Sequence, residues 1–142
     1  MKKVPLAPWP AVVLDSGGLW AVARNDDDDA RAVLAASSRA GVPVIVPAAV
    51  LADTLFGDER DARANQVLKR IKVAPVTDAI ARSAAKLKRL AGMTGVAATI
   101  DALVVATAQA AGGGVVLTSD PGDIRALADG VTDTRIRPVR VS

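Results

Sequence analysis

The sequence predicts a three-layer α/β/α domain with a mainly parallel sheet of about five strands. Three observations predict it. Short, continuous, valine-rich runs recur along the chain, as in "AVVLD" (11–15), "VPVIVP" (42–47) and "VVLTS" (115–119); strands buried on both faces lose the alternation of apolar and polar residues. Longer segments with helix start and stop signals stand between those runs, and strands alternating with helices build a parallel sheet covered on both faces. The chain has 142 residues, 51% of them apolar, which suits one globular core and argues against disorder. With no internal repeat and no interdomain linker, residues 1–142 read as a single domain, with residues 1–10 as an N-terminal extension.

In chain order, the strand at 11–15 ends in an acid. "SGGLWAVARN" (16–25) follows as a turn and a short helix. "DDDDARAVLAASSRAG" (26–41) reads as a helix with acids at its positive end and Gly41 as its stop. After the strand at 42–47, "AAVLADTLFGD" (48–58) and "DARANQVLKRI" (61–71) read as helices, and "KVAPV" (72–76) as a third strand. A helix over 77–92 has Thr77 or Asp78 as its cap. "TIDALVVATAQAAGG" (99–113) is an apolar helix that Asp101 opens and glycines stop. "AGGGV" (111–115) is no phosphate loop, because it lacks the Walker lysine and precedes a strand. The strand at 115–119 leads to "PGDIRALAD" (121–129), a helix with Pro121 near its start, and "IRPVRV" (136–141) is a weak fifth strand.

Composition narrows the chemistry. There is no cysteine, which excludes disulfides and thiolate sites, and no histidine, which excludes Ser-His-Asp triads and nearly every zinc site. Catalysis must come from carboxylates, hydroxyls, Lys, Arg or a metal held by oxygen. Aromatics are only 2%, so base stacking is not the expected main device of recognition. A net charge of +3 permits a polyanionic partner without requiring one. "MKKVPLAPWPAVVL" has the basic start and apolar run of an export signal, but three prolines and Asp15 interrupt it. No apolar run reaches the ~18 residues a membrane span needs. The expectation is a cytoplasmic protein with no membrane partner.

In parallel sheets, ligands bind at the carboxyl ends of the strands. Asp15 ends the first strand, Asp120 follows the fourth, and Asp123 lies three residues on. Asp101 opens the helix leading into the fourth strand, and Asp53 lies about two turns past the second. Carboxylates gathered at one edge repel, which a hard cation relieves. An all-oxygen donor set points to Mg²⁺ or Mn²⁺, and metal-activated water favours phosphodiester hydrolysis.

These residues also carry a resemblance. "VVLDSGGLW", "VPAAVLADTLFG", "TIDALVVATA" and "VVLTSDPGDIRAL" resemble, in order, the four acidic motifs of the PIN-domain ribonucleases. "DARANQVLKRIKVAPV" is similar to the corresponding stretch of bacterial VapC toxins. The likeness runs from about residue 11 to the C-terminus. It implies a Mg²⁺-dependent endoribonuclease, the toxin of a toxin–antitoxin pair, with RNA as substrate. It also implies a homodimer and an antitoxin protein that occupies the active site. Asp15, Asp53, Asp101 and Asp120 would form the catalytic quartet. Asp15, Asp101 and Asp120 would hold the metal, Asp53 would position it or the attacking water, and Asp123 would be an accessory. The sequence departs from the family once: the second acidic position is usually glutamate, and here Asp53 is shorter by one methylene.

Each residue also has a local reading. Asp15 can cap the turn it enters, Asp101 and Asp123 can be dipole acids, and Asp-Pro-Gly at 120–122 can be turn chemistry. Thr118 and Ser119 either finish a strand or hydrogen-bond a carboxylate or phosphate, with Thr118 the better site candidate. The run Asp26 to Asp29 cannot converge on one ion, since consecutive helical residues diverge, and reads as a solvated helix start. Arg60, Arg63, Lys69, Arg70 and Lys72, then Lys86, Lys88 and Arg89, form either a solvated face or a phosphate-gripping rim, with Arg63, Lys69 and Arg70 the candidate RNA contacts. Trp20 and Phe56 read as core or partner-groove residues, and Trp9 has no assigned role.

Rival readings are a non-catalytic PIN-like module binding RNA or protein, a phosphorylated receiver domain, and an aspartyl phosphatase. A receiver wants an acidic pair after the first strand and a lysine after the last; "LDSGG" has one acid and "IRPVRV" no lysine. The phosphatase wants an acid at position 17, where Gly17 stands.

Overall fold

A computed structural model describes residues 9–142. Most of the expected extension (1–10) and of the export-like start therefore lies outside the described residues. Five strands form one sheet: β1 (Val12–Leu14), β2 (Val44–Pro47), β3 (Lys72–Ala74), β4 (Gly114–Thr118) and β5 (Ile136–Arg140). Every pairing is parallel and the order is β3-β2-β1-β4-β5. The chain moves outward from β1 to β3, then returns to lay β4 on the other side of β1. The strand order thus reverses between β1 and β4, where a crevice opens at the carboxyl ends.

Burial follows position in the sheet. Every residue of β1 and β4 is buried, as continuous Val and Leu runs require. The outer strands depart from that expectation: Lys72 and Val73 of β3 are exposed, and β5 alternates between partial burial and exposure. Each has a neighbour on one side only.

The helices are α1 (Ser16–Arg24), α2 (Asp28–Ala40), α3 (Ala48–Thr54), α4 (Ala62–Leu68), α5 (Asp78–Ala91), α6 (Val96–Ala110) and α7 (Pro121–Ala128). Residues Ala102 to Ala108 of α6 are all buried, so this helix is apolar around its circumference and belongs to the core. It begins at Val96, after Gly95 at φ 97°, and Asp101 therefore lies in its second turn. That corrects the expectation that Asp101 opens the helix. A dipole role needs the first turn, which holds no acid here. No single described helix is long and apolar enough to cross a membrane; α5 and α6 pass only as a pair, and they bend by 118°.

Three further expectations change. The helices read at 48–58 and 61–71 are shorter, because the buried Asp61 carboxylate accepts the Phe56 and Gly57 N–H groups at 2.9 and 2.7 Å and folds the chain between them into a loop. Phe56 is 55% exposed and lies outside the core, its ring 6.2 Å from that of Trp20. Within the acidic run, Asp27 is buried: it caps α2 through the Ala30 N–H at 2.8 Å and accepts the Ser142 N–H at 2.7 Å. Asp26 and Asp28 are solvated as expected.

Candidate active site

The turn expected after β1 does not occur. Asp15 is itself the N-cap of α1, its Oδ1 accepting the Gly18 N–H at 2.8 Å. Two glycines permit this. A Cβ on Gly18 would lie 2.3 Å from the Leu117 carbonyl oxygen, and one on Gly17 would lie 2.4 Å from Ser119 Oγ. The start of α1 thus seats directly on the end of β4. This close approach brings Asp15 to Thr118, Ser119 and Asp120.

Thr118, with no exposed surface, joins the two strand-end acids. Its hydroxyl accepts the Asp120 N–H at 2.9 Å and acts on the neighbouring Asp15 carboxyl, whose pKa it lowers. Asp120 then caps α7, accepting the Asp123 N–H at 3.4 Å. Asp53 reaches the same place from α3, its Oδ2 accepting from Ser16 Oγ at 2.7 Å. Ser16 Oγ in turn accepts from Thr54 Oγ1 at 2.8 Å. Asp101 arrives from α6.

Asp15, Asp53, Asp101 and Asp120 line one pocket of about 360 Å³. Ser16 and Ser119 add hydroxyls to its wall, and Val96 and Ile100 make an apolar side. Asp123, which is half-buried, and Thr118, which is fully buried, do not line it. None of the eight basic residues around α4 and α5 lines it. Arg60 instead pairs with Asp58 at 2.8 Å and lies 3.9 Å over the Phe56 ring, and Lys88 donates to Thr99 at 2.7 Å. Arg140 touches the wall, its Nη1 donating to the Ser119 carbonyl at 3.3 Å. Ser16 and Arg140 were not singled out from sequence. Ser16 reads as turn chemistry, and nothing local marks Arg140.

The electrostatics record the crowding. Burial pushes the Asp101 carboxyl up to about 7, with Asp15, Asp123, Asp120 and Asp53 adding repulsion in that order. Burial also raises Asp15, against the hydrogen bonds from Thr118 and Gly18, and Asp120 adds to the rise. Asp123 is raised chiefly by its side-chain hydrogen bond to Asp120. A carboxyl half-protonated near neutrality among other acids is a functional-site signature.

The donor chemistry fits a hard cation, since the only polar side-chain atoms lining the pocket are carboxylate and hydroxyl oxygens. Among the described residues, no three acids are drawn into a closed metal cage. Mg²⁺ keeps several waters and takes only one or two protein carboxylates directly, so a spread set suits it better than a cage.

The chain belongs to the PIN domain family, whose model matches residues 12–129. No curated protein sequence matches it. Among solved structures, it is similar to a chain of VapBC2 from Rickettsia felis bound to a promoter DNA fragment, with TM-score 0.65 and 10% identity over 91% of this chain and 98% of that one. A chain of DNA-bound VapBC from Salmonella typhimurium gives TM-score 0.65 and 16% identity, over 90% and 97%. A toxin–antitoxin complex from Klebsiella pneumoniae gives 0.62 and 16%, over 87% and 95%. At these identities the likeness is one of fold.

Proposed function

We propose that this PIN domain is a metal-dependent endoribonuclease and the toxin of a toxin–antitoxin pair. One observation carries the reading: four aspartates from four separate parts of the chain line a single pocket at the point where the strand order reverses. The VapBC and toxin–antitoxin names of its structural neighbours support the biological setting.

In this reading Asp15, Asp101 and Asp120 would hold Mg²⁺ or Mn²⁺, directly or through its bound waters, and Asp53 would orient the ion or the attacking water. The bound ion supplies charge neutralisation at a phosphate and water that ionises near neutral pH. Thr118 fixes the spacing of Asp15 and Asp120. Asp123 holds the Asp120 carboxylate through its backbone N–H. Ser16, held by Thr54, aims the short Asp53 side chain, which stands where the family usually has glutamate. The products carry a 3′-hydroxyl and a 5′-phosphate. Arg63, Lys69 and Arg70 lie outside the pocket wall and meet RNA only beyond it. The partners in this reading are RNA, a cognate antitoxin and a second copy of the chain.

A second reading, a non-catalytic RNA- or protein-binding module, draws on the absence of a closed carboxylate cage among the described residues. Cleavage of total RNA separates the two. Discrete cuts that require both Mg²⁺ and Asp101, and vanish in Asp101→Asn or with chelator, support the nuclease. Intact RNA together with no Mg²⁺ binding supports the module.

A further inference from the structure

We infer a second, basic groove on the β5 side of the molecule that binds the phosphate backbone of RNA outside the cleaved segment. It rests on the ribonuclease reading for its ligand, but not for its geometry.

Two adjoining cavities share Trp9 and Arg135. One, of about 520 Å³, is lined by Trp9, Arg125, Arg135, Ile136, Arg137 and Pro138. The other, of about 290 Å³, adds Pro10 and Gly112. No acid lines either. Asp133, close in sequence, accepts from Gln109 Nε2 at 3.1 Å instead. Arg24, Arg31, Arg60 and Arg82 each stand beside an aspartate, whereas among the described residues Arg125, Arg135 and Arg137 form no ion pair. All three are exposed. The Arg135 guanidinium lies 4.8 Å over the Trp9 ring, which holds it at the mouth of both cavities.

Three unbalanced guanidiniums around a concavity focus positive potential, and their forked donors match phosphate oxygens. Arginine and proline on an edge strand also deter unwanted strand pairing. That role accounts for Pro138, but not for Arg125, which comes from α7 to the same cavity. The groove also leads somewhere. Arg137 is aligned with Val115 and Arg140 with Thr118, and Arg140 reaches the Ser119 carbonyl in the acid pocket's wall. From Arg135 to Arg140 is about 16 Å of strand at ~3.3 Å per residue. Successive side chains of β5 alternate between its two faces, so Arg137 and Arg140 stand on opposite sides of this edge strand, and a polyanion held at the groove passes around the edge to reach the carboxylates. An acidic protein segment gains the same charges; the choice of RNA among polyanions comes from the ribonuclease reading, in which RNA is also the molecule taken by the acid pocket.

The test is anisotropy of a labelled single-stranded RNA in chelator, across a salt series, with full-length protein. Arg135→Ala/Arg137→Ala is expected to weaken binding at least about 10-fold at low salt and to flatten the log–log salt slope by about 1.4, for two phosphate contacts at ~0.7 each. Arg135→Lys/Arg137→Lys keeps the slope. Wild-type affinity and slope in the alanine variant overturn the groove, as does a wild type that binds no RNA. Arginine-dependent binding of labelled polyaspartate, with RNA affinity unchanged in the alanine variant, overturns it in favour of an acidic protein partner. Cleavage is scored separately with Mg²⁺: arginine-dependent binding without cleavage sustains the groove and refutes the nuclease, and cleavage untouched by the alanine variant with unchanged binding does the reverse.

Discussion

The two ends of β4 carry opposite charge under opposite conditions. At its carboxyl end, four aspartates converge, with Asp15 buried, Asp101 half-buried and raised to about 7, and Asp53 and Asp120 exposed. Beside its amino end, Arg135 and Arg137 stand exposed over open cavities. Burying charge is costly, so the acidic end needs a reason that stability does not supply. Exposed arginines cost little, so the basic end shows its purpose only in binding. The acidic end is also assembled from distant parts of the chain by close packing, whereas three of the four arginines near β5 lie within six residues.

Disrupting that packing has the largest expected effect. Gly18→Ala drives a Cβ into the Leu117 carbonyl, 2.3 Å away. A loss of about 3 kcal/mol or more is expected in chemical denaturation, together with loss of cleavage. An exposed change at the basic end, such as Arg137→Ala, shifts stability by no more than about 0.5 kcal/mol.

The next effect is a pH dependence of unusual sign. Asp101 is raised from 3.8 to about 7, so the folded chain binds its proton more tightly than the unfolded chain does. Its contribution is present below pH 4 and is lost as pH rises towards 7. The metal-free protein therefore loses about 1 kcal/mol from this group between pH 4 and 7, after allowance for solvent screening. Thermal melts in chelator check this. Asp101→Asn removes the slope and is the more stable protein at pH 8, while being the inactive one.

A smaller effect is expected at the hydroxyl chain. Ser16→Ala removes the donor to Asp53 at 2.7 Å while leaving the Asp15 cap intact. Cleavage is expected to fall about 10-fold, the scale of one positioning hydrogen bond, with an unchanged melting temperature. Thr54→Val, one step further out, is expected to lower it less. Equal rates for all three proteins would leave Asp53 without a positioning role.

The same contrast governs what was legible in the sequence. β1 and β4 are legible because full burial leaves an unbroken apolar run, and Asp15 and Asp120 because they end those runs. β3 reads equally apolar, yet its edge position is set by strand order, which no local pattern encodes. The start of α6 is not legible, because Val96, Ala97 and Ala98 offer no polar cap and Gly95 resembles a stop. Asp27 reads as solvated because its partner, Ser142, lies 115 residues away. Density of charge along the chain points to a basic rim around α4 and α5. The cavities instead gather arginines from α7 and β5, with Trp9 from the start of the described chain. In each case the missing information is a tertiary contact.

The proposed function makes Asp15, Asp53, Asp101 and Asp120 one cation-binding unit. Calorimetric titration of Mn²⁺ into the wild type and into Asp101→Asn at pH 7 probes that unit without needing the RNA substrate. Binding with proton release is expected in the wild type, because Asp101 is raised to about 7 in the metal-free protein, and most of that affinity is expected to be lost in the variant. Equal affinity in the two proteins, or no heat in the wild type, rules the unit out.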